Sequence, residues 1–262
     1  MPGTLPPSLS RLALEEFAIL EYTTLLAASP LLGLIRRGDG HAVLVLPGFG
    51  ASDRSTAPLR SVLRSFGHDP HGWHLGTNVG PHPHILAGMG RRLAELSQRS
   101  GRQVSLVGWS LGGVYAREMA RERPDMVRQV VTLASPFRFR TGDRTYASAL
   151  YDYLAPPRNP FPHDIPEHHR PDLPVPSTAI YTRTDGIVRW HLCVECDGPQ
   201  RENIEVRGTH NGLGSNIAAV VAIADRLAQA DGRWKRFRPP GVMRQLFPAP
   251  AYWSEDRRRA RL

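Results

Sequence analysis

Three residue types spread along this chain can together turn a weak nucleophile into a reactive one. A serine hydroxyl attacks carbon poorly unless it is held at an exposed point beside a base, and the base works best when a carboxylate holds its tautomer. Ser110 stands in Gly108-Trp109-Ser110-Leu111-Gly112, directly after the apolar run Val104-Ser105-Leu106-Val107. A strand before the serine and a helix after it make a sharp turn that strains the serine backbone. Small residues two positions to either side let strand and helix approach closely. The pentapeptide alone is a weak pattern, and its setting is what gives it weight. The bland alternative is a glycine-rich turn at a helix N-terminus that holds a phosphate or nothing.

The base and acid follow from chain order. Of eleven histidines, His210 lies in Gly208-Thr209-His210-Asn211-Gly212, a turn ahead of the closing helix. Asp185, in Tyr181-Thr182-Arg183-Thr184-Asp185-Gly186, completes the order serine, acid, histidine. Asp164 and Asp172 are rivals, but both fall in an irregular stretch. A developing oxyanion needs aimed donors. The candidates are the N–H groups of Leu111, at the helix start, and of Phe49, in the turn Pro47-Gly48-Phe49-Gly50. Trp109 and Phe137 are the candidate substrate-facing side chains.

No metal site is expected. His68, His71, His74, His82 and His84 precede the serine without helical HxxxH spacing or clustered carboxylates. Cys193-x-x-Cys196 is half of a zinc site, read as a local disulfide or two free thiols.

The elements that must position these residues alternate along the chain. Ala42–Leu46 is a short apolar run stopped by a turn, the pattern of a strand buried on both faces. A helix with Ser55 or Thr56 near its start follows, then a strand near 70–75 and a Gly/Pro/His-rich loop, 76–83. Ile85, Met89, Leu93 and Leu96 mark an amphipathic helix closed by Gly101. Then come the strand ending at the serine, a helix over about 112–123, and a strand from Val127 to Leu133. Alternation resumes with strands at Ser177–Thr182 and Asn203–Val206 and a helix from Asn216 to Ala228. This pattern indicates an α/β domain with a mostly parallel sheet flanked by helices, over residues 41–232.

Between Pro136 and Pro176 the pattern breaks. A structureless loop of that length is improbable, so a cap or lid inserted at about 137–175 is expected. Its Phe137, Phe139, Tyr146, Tyr151, Tyr153 and Phe161 suggest an apolar acyl pocket or the cap's own small core. Residues 1–40 read as a helical leader and 233–262 as a basic tail.

Together the segments 43–49, 106–113, 178–188 and 208–210 resemble the bacterial lipase and esterase branch of the α/β-hydrolase superfamily, over roughly residues 40–230. The segment Val127–Phe137, with its Ala134-Ser135-Pro136, looks like the lipase strand before a lid. The resemblance implies a carboxylic ester substrate, water as second substrate and no cofactor. Family members commonly begin the oxyanion turn with His-Gly; here Pro47-Gly48 stands there, which removes a side chain that often braces the loop. An acyltransferase uses the same three residues, and a non-catalytic membrane-associated protein of the same fold is a further alternative.

Composition constrains the setting. The chain has 262 residues and a formal charge of +9, and its basic residues are arginines apart from Lys235. They are scattered except for Arg257, Arg258, Arg259 and Arg261, so a nucleic-acid partner is not expected. The N-terminus lacks a basic n-region before an apolar run, which points to a cytoplasmic protein. Glu21 and Pro30 interrupt the apolar stretch Phe17–Ile35, so it reads as a helix packed on the domain or lying on a membrane surface, not one that spans it. The leader and the tail are the candidate membrane contacts.

Overall fold

The computed structural model describes residues 4–27, 36–156 and 166–254. Six strands form one parallel sheet: β1 (Ala42–Leu46), β2 (Asp69–Gly72), β3 (Val104–Trp109), β4 (Val127–Leu133), β5 (Ser177–Tyr181) and β6 (Arg201–Glu205). Their order is β2-β1-β3-β4-β5-β6. The chain therefore steps outward from β1 to β2 and returns to the other side of β1 with β3. That reversal opens a crevice beyond the carboxyl ends of β1 and β3, where Leu46 pairs with Gly108.

Strand β1 reads as a continuous apolar run because both of its faces are covered, yet period two persists within it. Val43 and Val45 join one core with Leu59, Leu63 and Val107. Ala42, Leu44 and Leu46 point the other way, into a core with Ile85, Met89, Leu93 and Leu106. Helices α3 (Asp53–Ser65) and α7 (Ile217–Leu227) cover the first face; α4 (Pro83–Ser100) and α5 (Leu111–Glu122) cover the second. Side chains cap two of these helices, the first at Ser52 rather than at Ser55 or Thr56. Ser52 accepts from Arg54 N–H, and the Asn216 side chain accepts from Ala219 N–H.

One expectation is corrected. The strand expected at 70–75 ends at Gly72. The Asp53 carboxylate takes the N–H groups of Trp73 (3.0 Å) and His74 (3.0 Å), donors a longer ladder would have needed. The described part of the leader carries two helices, α1 (Leu9–Leu14) and α2 (Ala18–Ala27), separated by a 3-10 turn, Glu15–Phe17. Residues 28–35 lie outside the described residues, and from 36 to the start of β1 the chain is irregular. The leader also packs inside out: Glu15 and Leu25 are buried, while Leu9, Phe17, Ile19 and Leu20 are exposed. Among the described residues no helix is long and apolar enough to cross a membrane.

The stretch after β4 carries a short helix, α6 (Ser148–Leu154), and a 3-10 turn, Glu167–His169. Phe161, Asp164 and the rest of 157–165 lie outside the described residues. The part beyond is tied to α5 by buried charge. Arg117 pairs with Glu167 (2.5 Å) and with Glu195, and its guanidinium lies 3.9 Å from the centre of the Phe137 ring. The tail packs back as a strap: Met243 is buried, Phe237 and Phe247 lean on the core, and Ala251 N–H reaches Tyr181 Oη (2.6 Å). The terminal arginine run lies outside the described residues.

His68 is buried beneath the start of β1, and burial holds its pKa down from 6.5 to about 4. Between those values the unfolded chain binds a proton that the native state does not, so stability falls as pH drops through that window. Urea unfolding above and inside the window should show that loss, and His68→Phe should make it less steep.

Candidate active site

Ser110 sits where β3 runs into α5 with φ 51 and ψ −120, a left-handed conformation that side chains rarely adopt. The surroundings impose it. A Cβ on Gly112 would lie 2.4 Å from Leu46 O, and one on Gly108 would lie 2.4 Å from Gly112 O. The start of α5 is thus pressed on the ends of both β1 and β3, and the chain has one residue in which to turn. A Cβ on Gly48 would lie 3.2 Å from Ser110 Cβ, so the turn after β1 lies directly against the serine.

Four loops at the carboxyl edge of the sheet carry the candidate residues: 47–50 after β1, Ser110 after β3, Asp185 after β5 and His210 after β6. His210 Nδ1 and Asp185 Oδ2 are 2.7 Å apart, and both side chains are buried. Asp185 Oδ1 accepts from the N–H groups of Ile187 (2.8 Å) and Val188 (2.7 Å), which fixes the carboxylate. Burial disfavours the charged imidazole, but the Asp185 carboxylate, through charge and hydrogen bond, and the charge of Glu15 outweigh it. The His210 pKa is raised above 6.5 as a result. Ser110 Oγ makes no hydrogen bond among the described residues.

The N–H groups of Phe49 and Leu111 have no backbone partner among the described residues. Leu111 is the first residue of α5, where the helix leaves its donors free and its dipole positive. The turn after β1 is braced from an unexpected direction. Asn78, fully buried, donates to Pro47 O (2.9 Å), accepts from Gly50 N–H (2.7 Å) through its carbonyl and accepts from Tyr115 Oη (3.1 Å). It braces the turn in which Pro47 stands. Nothing in the local sequence of the Gly/Pro-rich 76–83 loop marks Asn78 for this role.

A cavity of ≈ 430 Å³ opens beside Ser110, lined by Phe49, Leu111, Val114, Phe139, Tyr151, Ile187 and Val188 among others. Phe139 and Tyr151 therefore stand where an acyl chain could lie. Phe137 and Trp109, expected at the substrate, are not part of its lining. Phe137 is buried under Arg117, and Trp109 turns away because its Nε1–H donates to His210 O (3.0 Å), holding the base loop beside the serine. Tyr146 donates to Pro7 O, and Tyr153 is 84% exposed, so neither belongs to the pocket.

A second constellation of the same types serves as a contrast. His41 Nδ1 lies 2.5 Å from Asp39 Oδ1, and His41 Nε2 lies 2.7 Å from Ser105 Oγ. Ser105 is completely buried in β3, and Asp39 also pairs with Arg102 and Arg128. No substrate carbonyl can reach that hydroxyl, so the cluster ties strand starts together. Among the described residues no group of three or more metal-ligating side chains forms a metal site, and Cys193 and Cys196 are free thiols.

Lipase B of Aspergillus fumigatus superposes with a TM-score of 0.53 at 16% identity, covering 73% of this chain and 53% of that one. The chain thus spans about half the length of that lipase. Carboxylesterase CesB of Bacillus subtilis superposes with a TM-score of 0.51 at 13% identity, covering 79% of this chain and 95% of that one. No family model matches the sequence, and no curated protein matches it either. The chain has the α/β-hydrolase fold.

The close contact at the turn makes a sharp prediction. Gly112→Ala drives a methyl into the Leu46 carbonyl and should lower stability by about 2 kcal/mol or more, a melting shift of roughly 4–8 °C. Gly90→Ala, in α4 with open space around it, should instead raise the melting temperature slightly. Differential scanning calorimetry of both variants checks the pair.

Proposed function

We propose that this chain is a serine hydrolase that cleaves carboxylic esters, with Ser110 as nucleophile, His210 as general base and Asp185 as the acid that orients it. One observation carries the reading: the buried 2.7 Å Asp185–His210 pair shares a sheet edge with a strained, cavity-facing serine. The lipase and carboxylesterase among the structural neighbours support an ester substrate.

In the first step the Ser110 hydroxyl passes its proton to His210 Nε2 as Oγ bonds to the ester carbonyl carbon. The carbonyl oxygen takes the negative charge and is met by the N–H groups of Phe49 and Leu111. His210 then gives the proton to the leaving alkoxide, and the alcohol departs from an acyl-enzyme. In the second step water gives its proton to His210, its oxygen bonds to the acyl carbon, and Ser110 recovers the proton as the acid leaves. Asp185 holds Nδ1 throughout, so Nε2 faces the serine. The described residues of the stretch after β4 act as the cap in this reading, with Phe139 and Tyr151 lining an apolar acyl site.

A fluorophosphonate probe should label the wild type and not Ser110→Ala, and turnover of p-nitrophenyl esters should fall at least ~10³-fold in that variant. Labelling that survives the substitution overturns the assignment.

The base works only when neutral. A His210 pKa raised above 6.5 means that kcat/KM is lost as pH falls through a midpoint above 6.5. A pH profile with its acid limb at or below that value would contradict the role given to Asp185.

A further inference from the structure

The leader reaches the site through one side chain. Glu15 is 8% exposed, although it lies in a leader whose apolar residues largely face outward. Its Oε1 accepts from Gly186 N–H (2.8 Å) and His210 N–H (2.9 Å), and its Oε2 accepts from Asn211 N–H (2.8 Å). Gly186 follows Asp185 directly, so this one carboxylate grips the acid loop and the base loop at the residues that meet. The 3-10 turn Glu15–Phe17 between the two leader helices is what brings it there. The leader is pressed hard on the acid loop: a Cβ on Gly186 would lie 2.3 Å from Arg11 O.

Glu21 makes a second, outer grip. It accepts from Thr209 N–H (2.7 Å) and Thr209 Oγ1 (2.7 Å), and Asn216 Nδ2 donates to its other oxygen (2.6 Å). Glu21 holds only the base loop and the start of α7, whereas Glu15 spans both loops.

Resting on the reading of Asp185 and His210 as acid and base, we propose that Glu15 is a positioning residue of the active site, which fixes the Asp185–His210 pair from the leader. Among the described residues it has no cationic partner, so its charge is answered by three backbone N–H dipoles and by the imidazole. Here the charge favours the imidazolium that forms during each proton transfer. The ionisable groups around His210 are Asp185 on the acid loop, Cys193 behind Asp185, and Glu15 on the leader, with Glu21 on the far side of Thr209. Only Asp185 and Glu15 raise its proton affinity.

The test compares Glu15→Gln, Glu15→Ala and Glu16→Gln in the full chain. Glu16 is the exposed neighbour on the same turn, and its variant should behave as wild type. Glu15→Gln keeps a carbonyl acceptor but loses the charge. It should lower kcat about 10-fold with KM little changed, and Glu15→Ala about 100-fold. In Glu15→Gln the acid limb of kcat/KM should move to lower pH, and the imidazole titration of His210 followed by NMR should move with it. A folded Glu15→Gln whose kcat and His210 titration match Glu16→Gln overturns the proposal. So does a loss that follows only the melting temperature and disappears in assays well below it. Ester turnover that survives Ser110→Ala would instead sink the hydrolase reading, and the His210 titration would still judge Glu15. Should Glu15→Ala fail to fold, Glu15→Gln decides the matter alone.

Discussion

The packing of α5 against the ends of β1 and β3 is the constraint on which the rest of the site depends. Backbone meets backbone there: positions 108 and 112 have no room for a methyl group, since each faces a carbonyl oxygen at 2.4 Å from a would-be Cβ. Because the approach is so close, the chain must reverse within Ser110 itself, at φ 51. The same contact points the free N–H of Leu111 and the positive end of the helix at the space beside the hydroxyl. It also sets the turn after β1 against the serine, with buried Asn78 bonded to both ends of that turn.

Around this rigid corner the remaining groups are held by carboxylates buried among N–H donors. Asp185 is fixed by two backbone amides and the imidazole, Glu15 by three amides, and Glu21 by a threonine and an asparagine. Hydrogen bonds to an ionised acceptor are stronger than those between neutral groups, which suits loops that have no regular structure of their own. The chain carries +9 overall, yet negative charge collects behind His210, where it favours the imidazolium. Elsewhere buried charge serves packing. Arg117 ties α5 to Glu167 and Glu195, and Arg226 ties α7 to Glu202 on β6.

The pair of Ser-His-Asp arrangements shows why residue types and distances are not enough to define a site. Asp39, His41 and Ser105 satisfy the distances and sit at the closed end of the sheet, with Ser105 wholly buried. Asp185, His210 and Ser110 lie at the edge where the strand order reverses, beside an open cavity. Position on the sheet, set by topology, separates a structural cluster from a candidate for catalysis.

What the sequence determined by itself is what depends on neighbours along the chain. The strands on either side of the serine turn, the helices that separate them and the turn itself follow from apolar runs, period and turn residues, and they lie within a residue or two of the expected bounds, whereas the strand expected at 70–75 ends three residues early. The order Ser110, Asp185, His210 is read in the same way, since each residue follows a strand whose end is marked locally. Only the tertiary structure decided what depends on distant partners. Asn78 looks like one more loop polar residue until Pro47 and Tyr115 are brought to it. Phe137 looks like a pocket aromatic until Arg117 stacks on it, and Trp109 like a substrate contact until its N–H finds His210 O. Glu15 reads as a break in an apolar leader, and 171 residues of chain separate it from the glycine it holds. A buried polar group must find its partner wherever the fold provides one, and that partner leaves no mark in the local sequence.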